Sequence, residues 1–273
     1  MWYPSQPEDR KGVLGHMGFQ NYSDYESFES QIRKRGRFGL SSYARNFLEI
    51  FVSQLSSKET LVPKETVFFR AARDYRIIEP DGNQGGAVLG ADENRMFPKQ
   101  EYSFEGRVNP SGIIVLYLAT SETTAASEIR PWIGEMISIG TFILQQNLKL
   151  ADLSNGDGQP NIANLTFSEL EGKEDISQEK TDRLVWNSID NAFSRPQTST
   201  DTGAEYAPTQ ILAEAIKENG FDGLAYRSSF GGDRGYNVAL FDPSVVQIHS
   251  CQVHEINRME LAIEEAGNRW FKS

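Results

Sequence analysis

Gly106-Arg107-Val108-Asn109-Pro110-Ser111-Gly112 runs into Ile113-Ile114-Val115-Leu116-Tyr117-Leu118-Ala119, and then into Ser121-Glu122-Thr123-Thr124-Ala125-Ala126-Ser127-Glu128. The first part is turn chemistry, with two glycines, an asparagine and a proline close together. The second is a continuous apolar run, short and rich in branched side chains, which predicts a buried strand. The third opens on a serine able to cap a helix and is closed by Pro131, so it predicts a short helix carrying Ala125, Ala126, Glu128 and Ile129. Taken with the strands and helices read on either side, the chain as a whole is expected to be α+β, with a mixed, mostly antiparallel sheet flanked by helices.

The same reading extends in both directions. Upstream, Thr66-Val67-Phe68-Phe69-Arg70 predicts a strand. Residues 80–100, with Gly82, Gly85, Gly86 and Gly90, read as a loop, either an active-site flap or inert, without GxGxxG or a Walker lysine. Tyr25–Arg35 and Ser42–Ser56 predict two helices. The second carries Tyr43, Phe47, Ile50, Phe51 and Leu55 as one apolar stripe. Arg33, Lys34, Arg35 and Arg37 read as a solvated helix end. Downstream, Gly134–Phe142 and Gln146–Leu150 predict strands. Residues 154–202 read as a polar insertion around one helix, Gln178–Phe193. Pro208–Asn219 predicts a helix stopped by Gly220. Leu224–Tyr226, Val238–Phe241 and Val245–His249 predict the closing strands, and Glu255–Phe271 a final amphipathic helix. The expected organisation is a helical extension over 1–60 and a main domain over 61–273.

The formal charge of −11 disfavours general adhesion to nucleic acid or an anionic membrane and favours a basic protein partner. A single cysteine, Cys251, permits no intrachain disulfide and fits a reducing cytoplasm. No apolar run approaches the roughly 20 residues of a membrane span. The first residues lack the basic and apolar regions of a signal peptide. His16, His249, His254 and Cys251 are too few and too scattered for a zinc site, so no metal is expected. No Gly-x-Ser-x-Gly elbow occurs.

Arginines and hydroxyls remain. Arg70 ends an apolar strand, where a charge is normally avoided. Its planar fork suits phosphate oxygens, and a salt bridge to Glu65, Asp74 or a distant carboxylate is the competing reading. Arg107 and Asn109 sit in a turn, where they either bind a ligand or shape the backbone. Glu128 has the small neighbours Ala125, Ala126 and Ser127, which allow close approach by another element. An exposed glutamate paired to Arg130 is the alternative. Ser228 and Ser229 follow the strand ending at Tyr226 and precede Gly231-Gly232-Asp233-Arg234-Gly235, before Asn237. They can hold a sugar or satisfy a turn.

In this order the segments resemble the RES domain family, named for an Arg, a Glu and a Ser. The resemblance covers roughly Val67 to Pro243. It rests on Phe68-Phe69-Arg70, Gly106–Pro110, Leu116-Tyr117-Leu118, Thr124-Ala125-Ala126-Ser127-Glu128, Pro208-Thr209-Gln210, Tyr226-Arg227-Ser228 and the region up to Asn237. It implies an ADP-ribosyltransferase-like fold and cleavage of NAD at the nicotinamide–ribose bond, with phosphate or water as acceptor. It implies no cofactor: NAD is the substrate and inorganic phosphate a co-substrate. It assigns catalysis to Arg70, Glu128 and Ser228, and substrate binding to Arg107, Asn109, Tyr117, Ser229 and Asn237. Many members are toxins held by an antitoxin. An ADP-ribosyltransferase acting on a macromolecule and a non-enzymatic nucleotide- or partner-binding module stay open beside this. The residues before position 60, the enlarged 154–202 section and the added Arg234 depart from a compact member. The apolar stripe on the extension is expected to pack on the chain's own domain, with an antitoxin or a second copy of the chain as the alternatives.

Overall fold

A computed structural model describes residues 18–35, 39–78, 86–154, 164–196, 203–230 and 235–260. Helix α1 (Asp24–Arg35) and helix α2 (Ser42–Gln54) come first. Ser41 caps α2, its Oγ accepting from the Ala44 amide at 3.1 Å. The predicted stripe is where α2 meets the rest of the molecule. Phe47, Ile50, Phe51 and Leu55 are buried, with Tyr43 packed beside them. Phe28 of α1 stacks on Phe47 with ring centroids 4.5 Å apart.

Strands β1 (Glu59–Val62), β2 (Val67–Ala72), β3 (Tyr75–Ile78) and β4 (Ala87–Gly90) follow, then the single turn α3 (Glu93–Met96). Strand β5 (Leu116–Ala119), helix α4 (Glu122–Glu128), and strands β6 (Met136–Leu144) and β7 (Leu148–Asp152) come next. Short α5 (Phe167–Leu170), α6 (Gln178–Ser194) and α7 (Gly203–Glu218) precede β8 (Gly223–Arg227), β9 (Tyr236–Leu240) and β10 (Val246–Glu255). Eight strands form one sheet in the order β1-β7-β8-β9-β5-β2-β6-β10. Only β7 and β8 run parallel in it, so the predicted mixed, mostly antiparallel α+β sheet is present. No described helix is long and apolar enough to cross a membrane.

The centre of the sheet is split. Among the described residues, β2 and β5 pair only at Phe69 and Ala119, whereas β2 pairs with β6 over six successive residues. Two apolar layers cover the sheet. One contains Phe68, Met96, Leu116, Phe142 and Leu150. The other joins α1, α2, α6 and α7 through Phe28, Phe51, Trp186, Ile189, Leu212 and Ile216. The described part of the 1–60 extension therefore shares a core with the domain it precedes, and β1, where it ends, is an edge strand of the main sheet.

Three expectations change. The stretch 80–100 is not all loop: β4 pairs with β3 as a hairpin and α3 follows it, while 79–85 lie outside the described residues. Gly90 misleads because it marks a close approach. A Cβ there would lie 2.4 Å from the Cys251 carbonyl oxygen. Second, Glu255 does not start a helix. It ends β10, which pairs with the whole of β6 and has a bulge between Ile248 and Ser250. Residues 256–260 have no regular structure, and 261–273 lie outside the described residues. Third, the polar 154–202 section contains a core helix. Leu184, Val185, Trp186, Ile189 and Phe193 of α6 are all buried. Its polar face hid this, because part of that face is buried too, in Asn187, Ser188 and Asp190.

Candidate active site

A cavity of about 500 Å³ opens at the split between β2 and β5. Its walls are those two strands, the end of α4, the loop before β5 and the C-terminal end of α6. Its charged side chains are Arg70, Arg107, Arg130 and Arg195 against Glu105 and Glu128. Four positive and two negative groups leave a surplus of two positive charges, in a chain of formal charge −11. Such an inversion favours an anionic ligand.

Glu128 is the last residue of α4. Ser121 caps the helix, accepting from the Thr124 amide at 3.1 Å, and Thr124 and Ala125 bury its inner face. Just beyond Glu128 the chain turns with Arg130 at φ 48°. Arg73 grips that turn by donating to the carbonyls of Ile129, at 2.9 Å, and Arg130. The carboxylate is thus set from its backbone upward. Ser228 Oγ donates to Glu128 Oε1 at 2.6 Å and Asn237 Nδ2 donates to the same oxygen at 2.7 Å. Asn237 lies in β9 opposite Ala119 of β5 and Tyr226 of β8, so the sheet register fixes its place. Ser228 is buried and its amide donates to Gly235 O at 2.8 Å. Among the described residues Oε2 has no hydrogen-bond partner, and Glu128 lines the cavity. A fixed carboxylate with one unused oxygen can accept from sugar hydroxyls or stabilise a nearby positive centre.

Arg70, in β2 opposite Gly140 of β6, also lines the cavity. Its Nη1 is buried and has no partner. Asp74 pairs instead with Arg95, at 3.4 Å, and no described carboxylate pairs with Arg70. Burial, with a smaller contribution from Arg95, pushes the Arg70 guanidinium down to about 10, so it stays charged near neutrality. A buried, uncompensated cation is unfavourable unless something anionic completes it.

The loop before β5 is held from within. Asn109 Nδ2 donates to Phe104 O at 2.9 Å and Ile113 O at 3.0 Å. Tyr117 donates to Asn109 Oδ1 at 2.7 Å and accepts from the Val108 amide at 3.1 Å. Burial pushes the Tyr117 phenol well up. A Cβ at Gly106 would lie 2.7 Å from that phenol oxygen, which explains the glycine. Arg107 is buried, and its fork is engaged: Nη1 donates to Ala192 O at 2.9 Å and Nη2 to Arg195 O. Asn109 and Arg107 therefore shape walls of the cavity that they also line. Ser229 is exposed and donates to Ser194 O at 2.5 Å, away from Glu128.

The structure thus brings Glu128, Ser228 and Asn237 into direct contact, and places Arg70, Arg107, Asn109 and Tyr117 around the same cavity. Arg234 lies outside the described residues. Three supports escape the sequence. Gln210, fully buried in α7, donates to Gly106 O at 2.8 Å and Asn109 O at 3.0 Å. Asp190 of α6 accepts from both the amide and the Nε of Arg227, tying α6 to the residue before Ser228. Arg195 supplies part of the cavity wall. Only Gln210 had a visible cue, in Pro208-Thr209-Gln210.

A family model described as the RES domain matches residues 75–258. The matched stretch starts at β3 and runs past β10, so it holds Arg107, Asn109, Tyr117, Glu128, Ser228, Ser229 and Asn237, while Arg70 lies just before it. No curated protein matches the chain. Among solved structures, the crystal structure of the M. tuberculosis MbcT-MbcA toxin-antitoxin complex is similar at 13% identity and a TM-score of 0.40. The match covers 75% of this chain and 92% of that one.

Proposed function

This chain belongs to the RES domain family, and we propose that it degrades NAD by breaking the nicotinamide–ribose bond, with phosphate or water as acceptor. The observation that carries this reading is Glu128, fixed through Oε1 by Ser228 and Asn237, in a cavity with surplus positive charge. NAD carries an anionic pyrophosphate, and its cleavage leaves positive charge on a sugar carbon; the cavity offers a complement to both.

Nicotinamide carries its own positive charge and leaves without a general acid. The remaining task is to stabilise the oxocarbenium-like ribose, and a preorganised carboxylate does so without reorganising during the reaction. In this reading Ser228 and Asn237 hold Glu128 in one rotamer, and its free Oε2 meets the ribose. The unpartnered Nη1 of Arg70 meets a phosphate oxygen, either of NAD or of attacking inorganic phosphate. Tyr117, whose hydroxyl is occupied by Asn109, contributes its ring face. The split between β2 and β5 supports this reading, because the cavity opens there with Glu128 and Arg70 in its walls. Membership of the family also supports a toxin role with an antitoxin partner, which fits the cell's need to restrain an enzyme that consumes NAD.

Purified protein incubated with NAD, with and without phosphate, tests the reading. Release of nicotinamide together with a phosphorylated ADP-ribose, faster with added phosphate, identifies a phosphorylase. Release with free ADP-ribose identifies a glycohydrolase. Transfer of the label to protein or nucleic acid identifies a transferase, and no release from folded, partner-free protein removes the enzymatic reading.

A further inference from the structure

Four arginines line the cavity, and they are not equally available. Arg70 has a buried, unpartnered Nη1. Arg107 spends both terminal nitrogens on the carbonyls of Ala192 and Arg195. Arg130 lies over the Phe230 ring, 5.1 Å from its centroid. Arg195, at the C-terminal cap of α6, differs from all three. Its backbone is gripped from two sides: Arg107 holds its carbonyl, and Ser229 Oγ holds that of Ser194 at 2.5 Å. Its guanidinium is loosely held. The side chain is 45% exposed, and among the described residues its one ion pair is from Nη2 to Glu205 Oε2 at 3.3 Å.

That oxygen already has a nearer partner. Arg33 Nη2 of α1 lies 2.5 Å from Glu205 Oε2 and 2.7 Å from Glu29 Oε1. Arg33 is the better-matched cation for Glu205, and Arg195 is left with the longer contact to the same atom. An anchored backbone carrying a weakly engaged fork is what a phosphate-binding arginine needs before its ligand arrives: little ordering is left to do, and only a weak contact must be exchanged.

We propose that Arg195 is a phosphate-binding residue of this cavity, with Glu205 holding it in reserve and Arg107 fixing the wall that presents it. The proposal rests on reading the cavity as a dinucleotide site, and it shifts the expected role of Arg107 from direct contact to positioning. The phosphoryl group is either that of the dinucleotide or free phosphate. The substitutions at Arg195 and Glu205 have opposite signs. Removing Arg195 removes a ligand, whereas neutralising Glu205 removes a competitor.

Calorimetric titration of the full chain with ADP, and separately with inorganic phosphate, tests this. Arg195→Ala should lower affinity by about tenfold, the effect of one charge-assisted contact, and Arg195→Lys should recover part of it. Glu205→Gln should bind more tightly than the unaltered protein. Loss for ADP identifies the dinucleotide as the source, and loss for phosphate alone identifies the co-substrate. Melting temperatures separate either from unfolding. Unchanged binding of both probes by Arg195→Ala, weakened binding by Glu205→Gln, or no binding of either probe by the unaltered protein overturns the proposal. The outcome is independent of turnover: Arg195-dependent ADP binding without nicotinamide release would uphold this assignment while removing the NAD-cleavage reading.

Discussion

A lysine at position 70 keeps the charge of Arg70 and loses its planar fork. If the unpartnered Nη1 meets a phosphate oxygen, Arg70→Lys should lower turnover about tenfold or more, since one charge-assisted contact is lost. Steady-state kinetics tells the two roles apart. A raised KM for NAD means that the substrate's own phosphates are held, and an altered phosphate dependence at constant NAD affinity means that the acceptor is. Kinetics unchanged on both axes would make Arg70 a structural residue. Ser228→Ala deletes one of the two donors to Glu128 Oε1 and leaves Asn237. It should lower kcat by about tenfold with a near-constant melting temperature, again the scale of one hydrogen bond to a charge. A kcat equal to that of the unaltered protein would show that Asn237 alone fixes the carboxylate. At this scale the sequence told much about the residue types and little about partners. Glu128 and Ser228 were legible as a pair only through family resemblance, because they are far apart in the chain and either alone reads as ordinary surface chemistry. The engagement of Arg107 was not legible, because its acceptors are backbone carbonyls at the end of α6, and any residue could have supplied them.

At the level of elements, the joint between α6 and β8 controls where Ser228 sits. Asp190 is fully buried and accepts from Arg227, the residue before Ser228. Burial pushes its carboxyl up, and Arg227 opposes that shift. Asp190→Ala leaves a largely buried guanidinium without its carboxylate and should destabilise the protein by about 3 kcal/mol, the lower end for breaking such a pair. Urea unfolding measures it, and a loss below about 1 kcal/mol would place the pair among surface bridges. Most strands were legible, since β2, β5, β6, β7, β8 and β9 coincide with apolar runs. The misses have physical causes. Gly90 looks like a loop residue because nothing in the sequence shows the Cys251 backbone pressed against it. The outer half of β10 lacks strong alternation, and pairing with the nine residues of β6 supplies what its own side chains do not. α6 looked peripheral because two of its buried polar groups meet partners distant in the chain, Ser188 with Glu26 at 2.6 Å and Asp190 with Arg227.

Across the whole molecule, the helices before position 60 belong to the main core. Phe28, Phe47 and Phe51 pack with Trp186 of α6, whose Nε1 donates to Gln54 at 2.6 Å. Removing residues 1–60 strips several fully buried aromatics and uncovers their neighbours. A chain beginning near Leu61 should be insoluble or should melt at least about 10 °C lower, because large core deletions cost about 3–5 kcal/mol per aromatic. Equal solubility and stability would mean that the stripe serves an external partner. At this scale the whole fold holds one carboxylate beside a cation-lined cavity, the arrangement proposed for NAD cleavage. Nicotinamide release from NAD by the unaltered protein and by Glu128→Gln, measured side by side at equal melting temperature, tests it most directly. The substitution keeps size and reach and removes only the charge, so the rate should fall by about 10²-fold or more, the scale of a lost preorganised electrostatic contact, with much smaller loss of NAD binding. Equal rates, or no release by either protein, would contradict the account.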